Sequence, residues 1–269
     1  NDTAAAAPKG PLTIAKTGPA ATGNSSFGYF AAGVGGGDGL SSVDRIDYSN
    51  DTATASPKGP LTLKRGSVSA TGNSDFGFVG GGFFPTLTSI IDRIDYSNDT
   101  ATATPTGPLS VTRFGTAATG NASFGYFGGG YNGSGTMYST VDRIDYSNST
   151  VGTKGPLSAP KQNAGGASSQ ANAITDLTLF PASTVRENVT PQGTDFGYFG
   201  GGHPDTSNLS SVDRVDYSND TATAVEKGPL SFARVDLAAT GNQSFGYFAG
   251  TWITSERVDR IDYSNDTAT

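Results

Sequence analysis

Cysteine is absent from this 269-residue chain, and His, Met and Trp each occur once. Without cysteine the chain has neither disulfides nor thiolate metal sites. With one histidine, the usual Ser–His–Asp and zinc sites would all depend on His203. His203 lies in a variable loop, GGHPDTS, where an exposed polar side chain is the default. The sequence therefore predicts no metal, no cofactor and no catalytic residue, so we expect a protein that is not an enzyme.

Clusters of basic residues and long apolar runs are missing as well. The formal net charge is −7, and no Lys/Arg cluster offers the basic footprint that nucleic acids require. No run approaches the roughly 18 apolar residues that would span a bilayer. We therefore expect neither nucleic-acid binding nor membrane insertion. What the chain does contain, abundant Thr, Tyr, Phe and Val between glycine-rich segments, favours strands over helices.

One sequence unit of about 48 residues recurs five times, and it accounts for the whole chain, 1–269, as a single domain. The fourth unit carries an inserted loop at about 161–191. The aromatic residue that opens the FGYF-type run recurs at Phe27, Phe76, Phe124, Phe196 and Phe245. The second aspartate of the DRIDY-type run recurs at Asp47, Asp95, Asp145, Asp216 and Asp262.

Each unit contains the cues for four strands in a fixed order. A first strand ends at a TGN turn, the FGYF run forms the second strand, and glycines followed by a variable loop lead to a third strand, SVDRIDYS. An Asn-Asp hairpin turn and a short TATA segment, such as 100–104, complete the unit. Four antiparallel strands at this period predict an all-β propeller with five blades.

The units resemble kelch repeats. Gly81 and Gly82, then the strand at 91–96, then Arg113 ahead of Phe124 follow the order of the kelch pattern. The resemblance implies a five-bladed kelch-like β-propeller of four-stranded antiparallel blades. The chain departs from kelch repeats in the fourth strand, where small residues replace the usual tryptophan. The wording VDRIDYSNDTAT and FGYFGGG also resembles repeats in structural or appendage proteins of marine tailed phages.

The repeated Asp-Arg-Ile-Asp motif has two interpretations. Its carboxylates could form a ring of cation sites, one in each blade. Alternatively, the arginines and aspartates could form a network that joins neighbouring strands or blades. We favour the network, because an arginine such as Arg45 beside Asp44 and Asp47 already supplies the counter-charge.

The repeat fails in the loops that follow the glycines, and a rigid scaffold with divergent loops places variation where binding usually occurs. The candidate ligand- or partner-binding residues in these loops are Phe83, Phe84, Tyr131, His203 and Trp252. Exposed aromatic rings can stack on sugars or fill pockets on a partner. The alternative is that these rings only cap the packing of the blades.

These observations predict a non-catalytic binding or structural module, extracellular or on a virion surface, that serves in assembly or adhesion. Its expected partners are other structural subunits or a cell-surface glycan. One alternative is a subunit of an extracellular filament or a capsid decoration, which self-associates through the NDTA segment present near both ends of the chain. The other is a kelch-type carbohydrate-active enzyme or oxidase, because some members of that family are enzymes.

Overall fold

The computed structural model describes residues 7–168, 196–204, 207–242, 244–250 and 257–268. In these residues five four-stranded antiparallel sheets follow one another along the chain. The first strands of successive sheets lie side by side, and all five line one narrow central channel. The protein is therefore a five-bladed β-propeller, and the prediction of its fold class is confirmed. We number the blades 1 to 5 in chain order.

Every blade has its strands in sequence order, from the first strand at the channel to the fourth at the outer edge. The first strands are Ala20–Gly23, Ser69–Gly72, Ala117–Gly120, Gly165–Ser168 and Ala238–Gly241. The second strands are Phe27–Ala31, Phe76–Gly80, Phe124–Gly128, Phe196–Gly200 and Phe245–Ala249. The third strands are Val43–Asp47, Ile91–Asp95, Val141–Asp145, Val212–Asp216 and Val258–Asp262. The fourth strands are Ser56–Lys58, Thr104–Pro105, Val151–Lys154, Val225–Lys227 and Thr267–Ala268. Blade 1 also carries a short hairpin, Val34–Gly35 with Asp38–Gly39.

Side-chain oxygens fix both turns at one end of each blade. The Asn24 carbonyl oxygen accepts hydrogen bonds from the backbone N–H groups of Ser26 and Phe27, which closes the predicted TGN turn. After the third strand, Asp47 accepts hydrogen bonds from the backbone N–H and the hydroxyl of Ser49. These bonds stabilise a 3₁₀ turn over Tyr48–Asn50.

The predicted Asn-Asp hairpin turn was therefore wrong, and so was the position of the fourth strand. Equivalent 3₁₀ turns occupy Tyr96–Asn98 and Tyr217–Asn219. The longer reversal uses up the residues that were predicted to form the strand, such as 100–104. The fourth strand of blade 2 consequently begins only at Thr104.

The third strands are buried on both faces, because each blade is covered by a neighbour on either side. In blade 3, Val141 and Ile144 are fully buried on the apolar side, and Asp142 is equally buried on the other. The charge of Asp142 is matched by Arg113, whose Nη2 lies 3.0 Å from the carboxylate. The corresponding pairs in the other blades are Lys16–Asp44, Arg65–Asp92, Lys161–Asp213 and Arg234–Asp259.

A second set of charges joins one blade to the next. Asp99, in the turn of blade 2, lies 2.7 Å from Arg45 and 3.2 Å from Lys58 of blade 1, and it accepts a hydrogen bond from the Tyr29 hydroxyl. Asp220 and Asp266 receive an equivalent arginine, lysine and tyrosine from blades 3 and 4. The predicted Arg–Asp network between blades is confirmed.

The joint between blades 2 and 3 lacks the charged cluster in a concerted way. Ser149 stands where the other turns have aspartate, and Phe78 stands where the other second strands have tyrosine. Thr106 replaces the lysine of the fourth strand. Changing all these positions together avoids leaving a buried tyrosine hydroxyl or a lysine without its acceptor, which would cost stability.

Buried tyrosines at the joints predict alkaline unfolding. Burial raises the pKa of Tyr126, Tyr146 and Tyr217 above the ordinary value of 10.0. Because the unfolded chain releases these protons first, stability should hold below about pH 10 and fall as the pH rises above it. We expect tyrosinate absorbance and loss of β-sheet circular dichroism to change together in one transition. Tyrosinate formation near pH 10 with the sheet signal unchanged would contradict this expectation.

Of the predicted inserted loop at 161–191, the structure describes residues 161–168, and these belong to blade 4. Lys161 forms the buried pair with Asp213, and Gly165–Ser168 is the first strand of the blade. The remainder of that loop lies outside the described residues.

Candidate functional site

Two sets of loops meet at the end of the propeller opposite the 3₁₀ turns. One set follows the second strands, and the other connects each blade to the next. Short backbone pairings join the two sets at Gly66–Phe83, Phe114–Tyr131 and Gln162–His203. These pairings hold the variable loops at one edge of the molecule, where the sequence predicted a binding site.

Four aromatic rings form a continuous row across this edge. Phe83 lies 6.4 Å from Phe84 and 5.9 Å from Phe114, measured between ring centroids. Phe114 in turn lies 5.5 Å from Tyr131 in an edge-to-face arrangement. Such spacings are favourable between aromatic rings. We call Phe83, Phe84, Phe114 and Tyr131 the aromatic rim.

The rings of the aromatic rim are anchored, yet part of their surface is open. A Cβ atom placed on Gly39 would lie 2.8 Å from the Phe84 ring, so Phe84 packs directly on the backbone of the blade 1 hairpin. The Tyr131 hydroxyl accepts a hydrogen bond from the backbone N–H of Gly135. Phe83 remains 44% exposed. A partner would therefore meet rings whose positions are already fixed, which lowers the entropic cost of binding.

The surroundings of the aromatic rim are apolar, with one exposed ion pair. Ile14 and Leu63, in the loops between blades, are 43% and 44% exposed. Lys64 and Asp38 lie 2.7 Å apart and are both exposed. The hydrogen bond from Lys64 lowers the pKa of Asp38 below its ordinary value. These two charges neutralise each other, so they leave the apolar side chains as the main feature of the surface.

The structure brings three of the five predicted site residues together. Phe83, Phe84 and Tyr131 belong to the aromatic rim, whereas His203 occupies the equivalent position in blade 4, near Asp236. Trp252 lies outside the described residues. Sequence reasoning missed Phe114, because it lies in the other set of loops. The available signal was an aromatic residue at the variable position directly after Arg113.

Within the described residues, no group of three His, Asp or Glu side chains is placed to hold a metal ion. The same part of the chain contains no helix long and apolar enough to cross a membrane. No protein-family profile matches the sequence, and no curated protein matches it. The class that the fold defines is a five-bladed β-propeller of four-stranded antiparallel blades.

Proposed function

We propose that this protein is a non-catalytic binding or structural module for assembly or adhesion, and that the aromatic rim is its contact surface. The observation that carries the proposal is the row of four rings with Phe83 44% exposed. Scattered exposed apolar side chains are ordinary, whereas contiguous ones mark interaction surfaces. Aromatic residues are also enriched among those that dominate binding energy.

The chemistry of the aromatic rim fits a sugar ring of a cell-surface glycan or an apolar pocket on another structural subunit. Either partner is met by open ring surface, and neither requires a cofactor. Such partners place the protein outside the cell or on a virion surface. The proposed kelch-like ancestry is supported by the order of Gly81, Gly82 and Arg113 and by the buried pairing of Arg113. A relation to appendage proteins of tailed phages belongs to the same proposal.

Truncating the aromatic rim should abolish binding without unfolding the protein. We expect Phe83→Ala and Tyr131→Ala each to weaken partner binding about ten-fold or more, because aromatic anchors contribute about 2 kcal/mol or more. The purified chain would be applied to a glycan array, and its self-association would be followed in parallel by light scattering. Glycan binding that is lost in both variants assigns a sugar partner. Self-association that is lost in both assigns a subunit partner.

Val225→Ala provides the matched control, because Val225 is 53% exposed on the outer strand of blade 4, away from the aromatic rim. This variant should bind as the unmodified chain does. If rim variants and control behave alike in both assays, the aromatic rim is not the contact surface and the proposal fails.

A further inference from the structure

Adjacent blades fit together through a ring that packs on a glycine. A Cβ placed on Gly80 would lie 2.8 Å from the ring of Phe127, which belongs to the next blade. Gly128 and Phe199 repeat this contact at 2.8 Å, and Gly200 and Phe248 repeat it at 2.7 Å. Between blades 1 and 2 the pair is Ala31 and Val79, in which a larger small residue faces a smaller large one.

A tyrosine of each following blade adds stacking to every joint. Tyr96 of blade 2 stacks on Tyr29 of blade 1 with centroids 4.7 Å apart, and its hydroxyl lies 2.8 Å from the Thr22 hydroxyl. The stacked pairs at the later joints are Phe78–Tyr146, Tyr126–Tyr217 and Tyr198–Tyr263. Four joints therefore share one design.

Blades 5 and 1 carry the same parts, but these parts are uncovered. A cleft of about 540 Å³ separates the two blades, and we call it the seam. Tyr48 is 54% exposed at the seam, whereas its counterpart Tyr146 is 4% exposed. Phe30 is only partly buried, although Phe127 in the equivalent position is completely buried. On the opposite wall, Thr240 is exposed.

The two walls of the seam are complementary residue by residue. By the pattern of the four joints, Tyr48 would meet Thr240, as Tyr96 meets Thr22. Phe30 would pack on Ala249. Asp51 would receive Arg260 and Tyr247 as Asp99 receives Arg45 and Tyr29, in addition to Lys9, which already lies 3.2 Å from Asp51.

We propose that blades 5 and 1 of the same molecule close against each other and form a fifth joint of this design. Both walls belong to one chain, and their first strands already line the same central channel of about 80 Å³. Intramolecular faces meet at a high effective concentration, which favours closure over pairing with a second copy. Closure would bury Phe30 and Tyr48, whose apolar surface otherwise faces water.

A designed disulfide tests closure, and the absence of native cysteine makes the result unambiguous. At the joint of blades 4 and 5, a Cβ on Gly246 would lie 3.2 Å from the Ala167 Cβ, close to the spacing that a disulfide needs. The equivalent positions at the seam are Gly28 and Thr240. We expect Gly28→Cys/Thr240→Cys to oxidise within the monomer, as the control pair Gly246→Cys/Ala167→Cys does. Non-reducing electrophoresis and thiol labelling measure the outcome.

Two results would overturn the proposal: disulfide-linked dimers of the seam variant, or free thiols at the seam when the control pair is oxidised. The unmodified chain provides a second test that does not depend on the folding of a variant. In hydroxyl-radical footprinting, a closed seam makes Tyr48 react as slowly as Tyr146. Modification of Tyr48 at a several-fold higher rate would show that the seam stays open.

Discussion

Replacement of Asp142 by alanine is expected to lower the free energy of unfolding by about 3–5 kcal/mol, the usual effect of removing one partner of a buried ion pair. Asp142 and Arg113 are both completely buried. The carboxylate also accepts hydrogen bonds from the backbone N–H and hydroxyl of Ser110 and from the Thr153 hydroxyl. The variant would leave the Arg113 guanidinium charged in the interior without its counter-ion.

Arg113 has few other ways to be satisfied. Its Nη2 donates to the backbone oxygen of Phe127, but its Nε and Nη1 atoms have no hydrogen-bond partner. Burial already lowers the pKa of Arg113 below its ordinary value, and the charge of Asp142 acts against that shift. Removing the carboxylate therefore removes the main interaction that compensates for burial of the guanidinium.

Urea denaturation followed by circular dichroism measures this effect. Asp38→Ala is the matched control, because the Lys64–Asp38 pair has a similar distance but is exposed on both sides. Exposed pairs contribute little to stability, so the control should unfold at the same urea concentration as the unmodified chain. Equal behaviour of the two variants would show that burial does not give the Arg113–Asp142 pair its importance.

The second large effect is expected at the joint between blades 3 and 4. Phe199→Ala should destabilise the protein by about 3–5 kcal/mol, because it removes a fully buried ring and leaves a cavity. The ring is completely buried and packs on Gly128 of the preceding blade. The backbone at Gly128 cannot move inward to fill the cavity without disturbing the sheet of blade 3.

Phe83→Ala controls for the loss of an aromatic side chain as such, since Phe83 is 44% exposed. We expect a much smaller decrease in stability from this variant. Thermal unfolding of both variants distinguishes the two cases. A Phe199 variant as stable as the Phe83 variant would mean that the blades are held together mainly by their charged clusters.

The charged clusters illustrate how far local pattern can go. The repeat of Arg45 beside Asp44 and Asp47 was sufficient to predict an Arg–Asp network. It could not reveal that the partner of Arg45 is Asp99, which lies in the turn of the next blade. Asp47 instead holds its own turn through Ser49. Choosing among these aspartates requires the angle at which two blades meet.

The candidate site shows the same division. Divergence of the loops after the glycines predicted Phe83, Phe84 and Tyr131 correctly as neighbours at one edge. Phe114 belongs to a different set of loops, and only the backbone pairing of Phe114 with Tyr131 brings the two sets together. Exposure likewise differs from ring to ring, because Phe84 packs on Gly39 whereas Phe83 does not.

The sequence by itself determined that the chain is a propeller with five blades of four antiparallel strands. Strand order, the TGN turns and the number of blades depend on contacts within one unit, and five similar units display the same signals repeatedly. The tertiary structure decided which aspartate each arginine binds, which aromatic rings meet, and that the seam between blades 5 and 1 differs from the other joints. These features depend on how separate sheets dock, and residues about one repeat apart or more leave no periodic signal of their contact.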